Sequence, residues 1–385
     1  MEDVGVYLHV PFCERVCPYC DFAVIAARTL SEAEEECYVA GLLAELARRR
    51  GDFAGCSLAT IYFGGGTPSR LRPESVARLV AAVREAFPGE PAEVTLEVNP
   101  STLETGRLPG FRAAGVDRVS LGIQSFDDTT LRRLGRAHRA AAAERALHAC
   151  REAGFARLSL DLIAAAPGQD EAGFERDLDA ALGFAPDHLS VYELTFEPGT
   201  PFARAAADGR LAPCAEETAA RMLECTESRL EAAGYRRYEI SSYARPGAEA
   251  RHNRRYWERR PVLGLGLSAV SSDPPGPGRP FGVRRHNPRS LEAWLAVVAG
   301  REAPEVETIC PETARGEAVF LALRTAAGLD AAAFAREFDA SPRRFYGPAI
   351  DRLAAQGLLL EAAGGDLRLT PRGRMLSDSV FQHFV

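Results

Sequence analysis

Three cysteines fall close together near the start of the chain, in Cys13-Glu-Arg-Val-Cys17-Pro-Tyr-Cys20, shortly after His9. Thiolates at this spacing can close around one metal centre if the loop wraps it. Iron–sulfur clusters usually take four cysteines, so three on a four-iron cubane leave one iron with an open position. The rival is zinc, with His9 completing a three-Cys, one-His tetrahedron; thiol spacing alone leaves both readings open. The other six cysteines, Cys37, Cys56, Cys150, Cys214, Cys225 and Cys310, are scattered and read as small core residues. Nine is an odd number, which argues against a disulfide framework and for metal binding.

A glycine run weighs against zinc. Tyr62-Phe-Gly-Gly-Gly-Thr-Pro-Ser69 follows a strand-like segment and opens into a helix-like one. Residues without Cβ let a backbone approach a ligand closely. No Gly-Lys-Ser/Thr follows, and the pattern is not G-x-G-x-x-G, so it is neither a phosphate loop nor a dinucleotide turn. Further along stands His252-Asn-Arg-Arg-Tyr-Trp257, read as a polar loop. A histidine there is a candidate axial ligand for heme iron; the plainer reading is a surface histidine with a Tyr–Trp pair anchoring the loop.

Short β-branched runs, at 4–10, 59–63, 93–98, 118–123, 157–163 and 188–194, alternate with amphipathic stretches such as 31–50, 73–86 and 140–153. Six such repeats predict an α/β fold with a parallel sheet, either doubly wound or a barrel. In both, chemistry gathers at the C-terminal ends of the strands. The cysteine loop, Gly64–Thr67, Glu97–Asn99, Gln124 and Asp161 all fall there. Beyond residue 198 the repeat weakens. Three helices, two short strands and a last helix over 371–384 then predict a small winged-helix-like C-terminal domain. The expected division is a core over 1–240, a connecting region over 241–303 and the C-terminal domain over 304–385. The net charge of −7, and ten Arg against twelve Asp and Glu in residues 301–385, predict no nucleic-acid partner. The acidic N-terminus lacks the basic start and apolar core of a signal peptide, and no run of about 18 apolar residues occurs. A cytoplasmic location is expected.

With the thiol loop after strand one and GGGTP after strand two, the sequence resembles the radical SAM superfamily. Within it, the chain is similar to the family of oxygen-independent coproporphyrinogen III dehydrogenase (HemN) and the heme chaperone HemW. The similarity runs through LEVNP, SLGIQSF, LGRAH, LDLI, LTFEPGTPF, YEISSYARPG, HNRRYW and LTPRGR. It implies a partial (β/α)6 radical SAM barrel followed by an α+β connecting region and the winged-helix-like domain. It implies a [4Fe-4S] cluster on Cys13, Cys17 and Cys20, with S-adenosylmethionine (SAM) chelating the open iron. Tyr7 and Tyr19 would line the adenosine site, and Gly65, Gly66 and Thr67 would meet the methionine moiety. Glu97, Gln124, Arg136 and Asp161 would also contact SAM. Their plainer roles are a strand-end acid for Glu97, a solvated helix residue for Arg136 and a helix cap for Asp161.

Three features favour the chaperone branch of that family. Phe22 stands where the dehydrogenase has a further cysteine, only twelve residues precede the motif, and HNRRYW is a motif associated with heme binding in that branch. The resemblance therefore implies a protein that binds heme, a cluster and SAM, and passes heme to respiratory enzymes at the membrane. His252 would be the heme ligand, Asn253 and Trp257 its supports, and His286 a possible substitute. The alternatives are oxidative decarboxylation of coproporphyrinogen III, or a related methyltransferase or cyclopropanase. Two departures touch the pocket: Val270 replaces a usual His, and Ala164-Ala-Ala-Pro167 a usual Tyr-Gly-Leu-Pro.

Overall fold

The structure, a computed structural model, describes residues 2–385. Six strands form the parallel part of one large sheet: β1 (Asp3–Val10), β2 (Ser57–Gly65), β3 (Glu93–Val98), β4 (Arg118–Gln124), β5 (Arg157–Ala164) and β6 (His188–Glu193). They lie side by side in chain order, each parallel to the next. A doubly wound sheet reverses its order at a switch point. This one does not, so the winding is that of a barrel, here left open. Helices α1 (Glu32–Arg49), α2 (Pro73–Ala86), α3 (Thr102–Ala113), α4 (Ala140–Glu152) and α5 (Glu171–Gly183) join successive strands.

Local sequence accounts for the elements. Alternate buried residues of β1, Val4, Val6, Leu8 and Val10, are fully enclosed and share one core with Ile61, Phe63, Leu96, Leu121 and Leu160. Helix α1 starts at a capping box. Ser31 Oγ accepts from Glu34 N at 3.2 Å, and Ser31 N donates to Glu34 Oε2 at 2.9 Å. Its first turn is acidic and its last carries Arg48 and Arg49, both favourable to the helix dipole.

The expected connecting region over 241–303 is not a body of its own. Its strands β7 (Val262–Leu265), β8 (Val270–Asp273) and β9 (Val283–His286), followed by β10 (Glu305–Thr308), extend the main sheet beyond β1. Strand β7 pairs in parallel with β1, Gly5 opposite Val262. The C-terminal domain has its own core, built on Val319, Leu323, Phe334, Ile350, Leu353, Leu367 and Phe384. It consists of three helices and an antiparallel hairpin, as expected, but the last helix is two short ones, Pro371–Met375 and Ser377–Phe381. The break falls at Leu376, with φ −108° and ψ 27°. No helix is long and apolar enough to cross a membrane among the described residues.

Candidate functional site

The cysteine loop is clamped at its base. Phe12–Cys13 pairs in parallel with Ile25–Ala26, and Ile25 N and Ala27 N donate to Pro11 O and Cys13 O, both at 2.8 Å. Between the clamps the chain turns at Cys20 N to Cys17 O, 3.1 Å. All three thiols line one cavity of about 920 Å³, and none of the other six cysteines does. Burial pushes the Cys13 thiol up to about 11 and raises Cys20 as well; bonding to iron would reverse this by stabilising the thiolates. All nine thiols are free, but Cys37 and Cys310 are exposed rather than core residues.

The glycine run is the opposite wall, and its closeness is first to the chain itself. A Cβ on Gly65 (φ +110°) would stand 2.6 Å from the His9 ring. One on Gly66 would stand 2.6 Å from Pro11 O and 3.0 Å from Cys13 Sγ. The glycines thus let the second strand end press against the cysteine loop, while Gly65, Gly66 and Thr67 still face the cavity. Thr67 Oγ1 donates to Cys13 Sγ at 3.5 Å and accepts from Asn99 Nδ2 at 2.7 Å.

Asn99 in turn accepts from Arg136 Nη2 at 2.6 Å, and the same nitrogen reaches Gly122 O at 2.8 Å. Arg136 Nη1 lies 3.7 Å from Cys17 Sγ. Arg136 is therefore no solvated helix residue but a strut between the thiol loop and the ends of β3 and β4. Its Nε is buried without a protein partner. Glu97 and Asp161 face the same cavity. Burial, with the charge of Asp161 adding, pushes the Glu97 carboxyl up to about 7, although Tyr62 donates to its Oε1 at 2.7 Å. Burial pushes Asp161 up to about 6 against the hydroxyls of Ser190 and Ser120. Gln124 also lines the cavity, held at φ +71°, a conformation costing roughly 1–3 kcal/mol and concentrated at functional sites. Tyr19 joins them beside Phe202, ring centroids 6.2 Å apart.

Two expected residues sit elsewhere. Tyr7 is one layer behind the cavity, its ring centroid 6.1 Å from Tyr62 and its hydroxyl 3.1 Å from His9 Nδ1. His252 is not in a polar loop. HNRRYW forms a helix, Arg251–Trp257, whose N-terminal N–H groups of Arg251 and His252 donate to the buried Glu93 carboxylate. The His252 ring is 0% exposed, with Nδ1 2.8 Å from Thr60 Oγ1 and Nε2 3.1 Å from Tyr256 OH. It stacks on Tyr62 at 5.0 Å, and Tyr62 is the residue that holds Glu97. A heme iron finds no open nitrogen there. Trp257 lies under Arg324, whose guanidinium carbon is 4.4 Å from the ring centroid, so this helix joins the barrel to the C-terminal domain. Val270 is part-exposed at the start of β8, opposite His286 of β9. Sequence reasoning placed Asn99 at the rim without giving it a role and passed over Tyr62 and His138; Tyr62 was signalled by its place in YFGGGTP, at a strand end.

The donor set suits a three-thiolate cluster. His9 cannot complete a zinc site, since its Nδ1 meets Tyr7 OH and its Nε2 lies 2.9 Å from Ala23 O. Among the described residues no three His, Cys, Asp or Glu groups converge tightly enough for a single metal ion.

Residues 7–181 match the radical SAM superfamily, and residues 310–376 match the HemN C-terminal domain. Barrel and cavity thus define a radical SAM protein, a class whose membership implies a [4Fe-4S] cluster and SAM. The heme chaperone HemW of Bacillus subtilis is 32% identical, with 99% of each chain covered. HemW of Mycobacterium tuberculosis is 37% identical over 98% of this chain and 94% of its own. The coproporphyrinogen III oxidase HemN of Escherichia coli shares the fold, with a TM-score of 0.83 at 24% identity over 100% of this chain and 90% of its own. The chain belongs to the HemN/HemW family of radical SAM proteins.

Proposed function

We propose that this protein is a cytoplasmic heme chaperone, which holds heme together with a [4Fe-4S] cluster and SAM and passes heme to respiratory enzymes. The carrying observation is the near end-to-end similarity to relatives named heme chaperone HemW. The site supports it. Cys13, Cys17 and Cys20 would hold the cluster, which when bound supplies a one-electron donor beside SAM. Glu97 and Asp161 offer anionic groups to the cationic sulfonium and amino groups of SAM, and Arg136 with Asn99 braces the wall around the thiols. The mouth suits a flat apolar ligand with acidic edges. Phe22 (71% exposed) and Val16 (45% exposed) are among its lining residues, and the exposed Arg15 and Arg145, which also line it, have no ion-pair partner among the described residues.

Hemin titration of the anaerobically reconstituted protein tests this. Saturable binding of one heme per chain, with the cluster absorption retained, is expected. No saturable heme binding would remove the chaperone reading and leave the radical SAM assignment standing.

A further inference from the structure

The barrel is polar on the inside. Successive residues of a strand face opposite ways. On three adjacent strands the inward positions carry Thr95 and Glu97 (β3), Arg118 and Ser120 (β4), and Ser159 and Asp161 (β5). Their neighbours Val94, Leu96, Val119, Leu121, Leu158 and Leu160 belong to the hydrophobic core. A closed (β/α)8 barrel fills its centre with branched apolar side chains. Here the polar groups instead surround a small lumen of about 40 Å³. Glu97, Ser120 and Asp161 line this lumen and the large cavity alike, so they form the wall between the two. Ala250 and Asn253, at the start of the Arg251–Trp257 helix, line it as well.

We propose that the lumen holds a fixed cluster of waters joining Arg118 and Thr95 to the Asp161 and Glu97 carboxylates, and that Arg118 is through it a positioning residue for SAM; this rests on the reading of those carboxylates as SAM contacts above. Two lining atoms call for water. Thr95 Oγ1 and Arg118 Nη2 are sealed from bulk solvent and meet no partner among the described residues. Leaving such groups unpaired is costly, most of all for a charged one, and buried water is the usual remedy where the space is polar and roomy enough. A water needs about 10–15 Å³ of such volume, so the lumen has room for about two or three. The rest of Arg118 is anchored: Nη1 donates to Ala248 O at 3.0 Å and lies 3.5 Å from the fully buried Glu93. That leaves Nη2 for the lumen.

The consequence falls on the shared wall. Burial drives Asp161 toward its neutral form, and the hydroxyls of Ser190 and Ser120 with the charges of Arg118 and Arg136 oppose it. Arg136 lines the large cavity and Arg118 the lumen, so the carboxylate is supported from both sides. Bridging water passes a hydrogen bond on almost as well as direct contact does. The anion offered to the SAM sulfonium is then sustained by a residue that does not line the SAM cavity. Because Arg118 stands behind the carboxylates, losing it removes more of their ionisation than of its own repulsion toward SAM.

Equilibrium dialysis of the cluster-loaded full chain tests this, with SAM and with S-adenosylhomocysteine, which lacks the sulfonium charge. Arg118→Gln should weaken SAM binding about tenfold, the effect of a one-unit rise in a carboxylate pKa, and leave S-adenosylhomocysteine nearly unchanged. Arg118→Lys, which keeps the charge, should restore most of the SAM affinity. Thr95→Val keeps the side-chain shape, deletes the orphaned hydroxyl and leaves the Arg118–Glu93 pair intact, so it carries the test if Arg118→Gln does not fold. It should weaken SAM binding about threefold, the weight of one modest hydrogen bond. A crystal structure of the protein should show the waters in the lumen. Wild-type SAM affinity in both variants, an equal loss for both ligands, or a dry lumen would overturn the proposal. A wild-type protein that binds no SAM would overturn the SAM reading beneath it.

Discussion

Adding one carbon at Gly66 should dismantle the site from behind. An alanine Cβ there would stand 2.6 Å from Pro11 O, 2.7 Å from Pro11 C and 3.0 Å from Cys13 Sγ. Two of these are backbone atoms held by the Ile25 N to Pro11 O bond of 2.8 Å, so no side-chain rotation relieves the overlap. Forcing an extra group into a packed site costs roughly 1–3 kcal/mol, and here the part that must move carries a cluster thiol. Gly66→Ala should lower apo-protein stability by about that amount and reduce iron content after reconstitution well below the wild type. Gly106→Ala is the control. It lies inside α3 with nothing within 4 Å of its Cβ position, so helix propensity should make it stabilising by about 0.5–1 kcal/mol. Thermal melts of the apo proteins and iron per chain measure both. A Gly66→Ala protein with wild-type melting and full iron would refute the close approach of the two loops.

Replacing Cys13, Cys17 or Cys20 by Ala should abolish the broad iron–sulfur absorption after reconstitution, whereas Cys37→Ala, Cys150→Ala and Cys225→Ala should retain it; cluster in any of the first three argues for another ligand set. Glu97, pushed up to about 7 by burial and by Asp161, should make SAM affinity rise between about pH 6 and 8, because a cationic ligand selects the ionised carboxylate and its binding releases a proton. Linkage has the opposite sign for the empty protein: the raised pKa contributes stability below the unfolded value near 4.5, lost as pH rises to about 7. A Glu97→Gln variant with the same pH slope for SAM would assign the titration elsewhere. His252→Phe keeps a ring against Tyr62 but strands Thr60 Oγ1 and Tyr256 OH, so stability should fall by about 2–4 kcal/mol. SAM affinity should weaken with it, and dialysis showing wild-type affinity would separate the HNRRYW helix from the Glu97 wall.

The barrel was legible because its strands are buried and β-branched. The expected 93–98 run is β3 itself, and β1 differs from the expected 4–10 by one residue. The rim was legible because the winding sends every strand end to one side, bringing Cys13, Gly65, Glu97, Gln124 and Asp161 to one cavity. The HNRRYW segment was not. Its two central arginines and its histidine read as solvated, but Arg255 is 4% exposed, 3.0 Å from Asp3 Oδ1 and hydrogen-bonded to Asp3 O and Pro261 O. Polar residues read as a loop when the partners that permit their burial, here Glu93 and Asp3, lie more than a hundred residues away. The same distance hid the sheet extension. Strand β7 finds its partner in β1, at the far end of the sequence. The packing of Gly66 against Pro11 and Cys13 was hidden for a related reason. A glycine signals that something comes close, but not whether ligand or chain.

One sample decides between chaperone and enzyme: cluster-loaded protein, given hemin and a heme-free acceptor in one vessel and coproporphyrinogen III with SAM and a reductant in another. The account predicts transfer of heme to the acceptor and no formation of protoporphyrinogen IX. Steady production of protoporphyrinogen IX, with no heme reaching the acceptor, would contradict it.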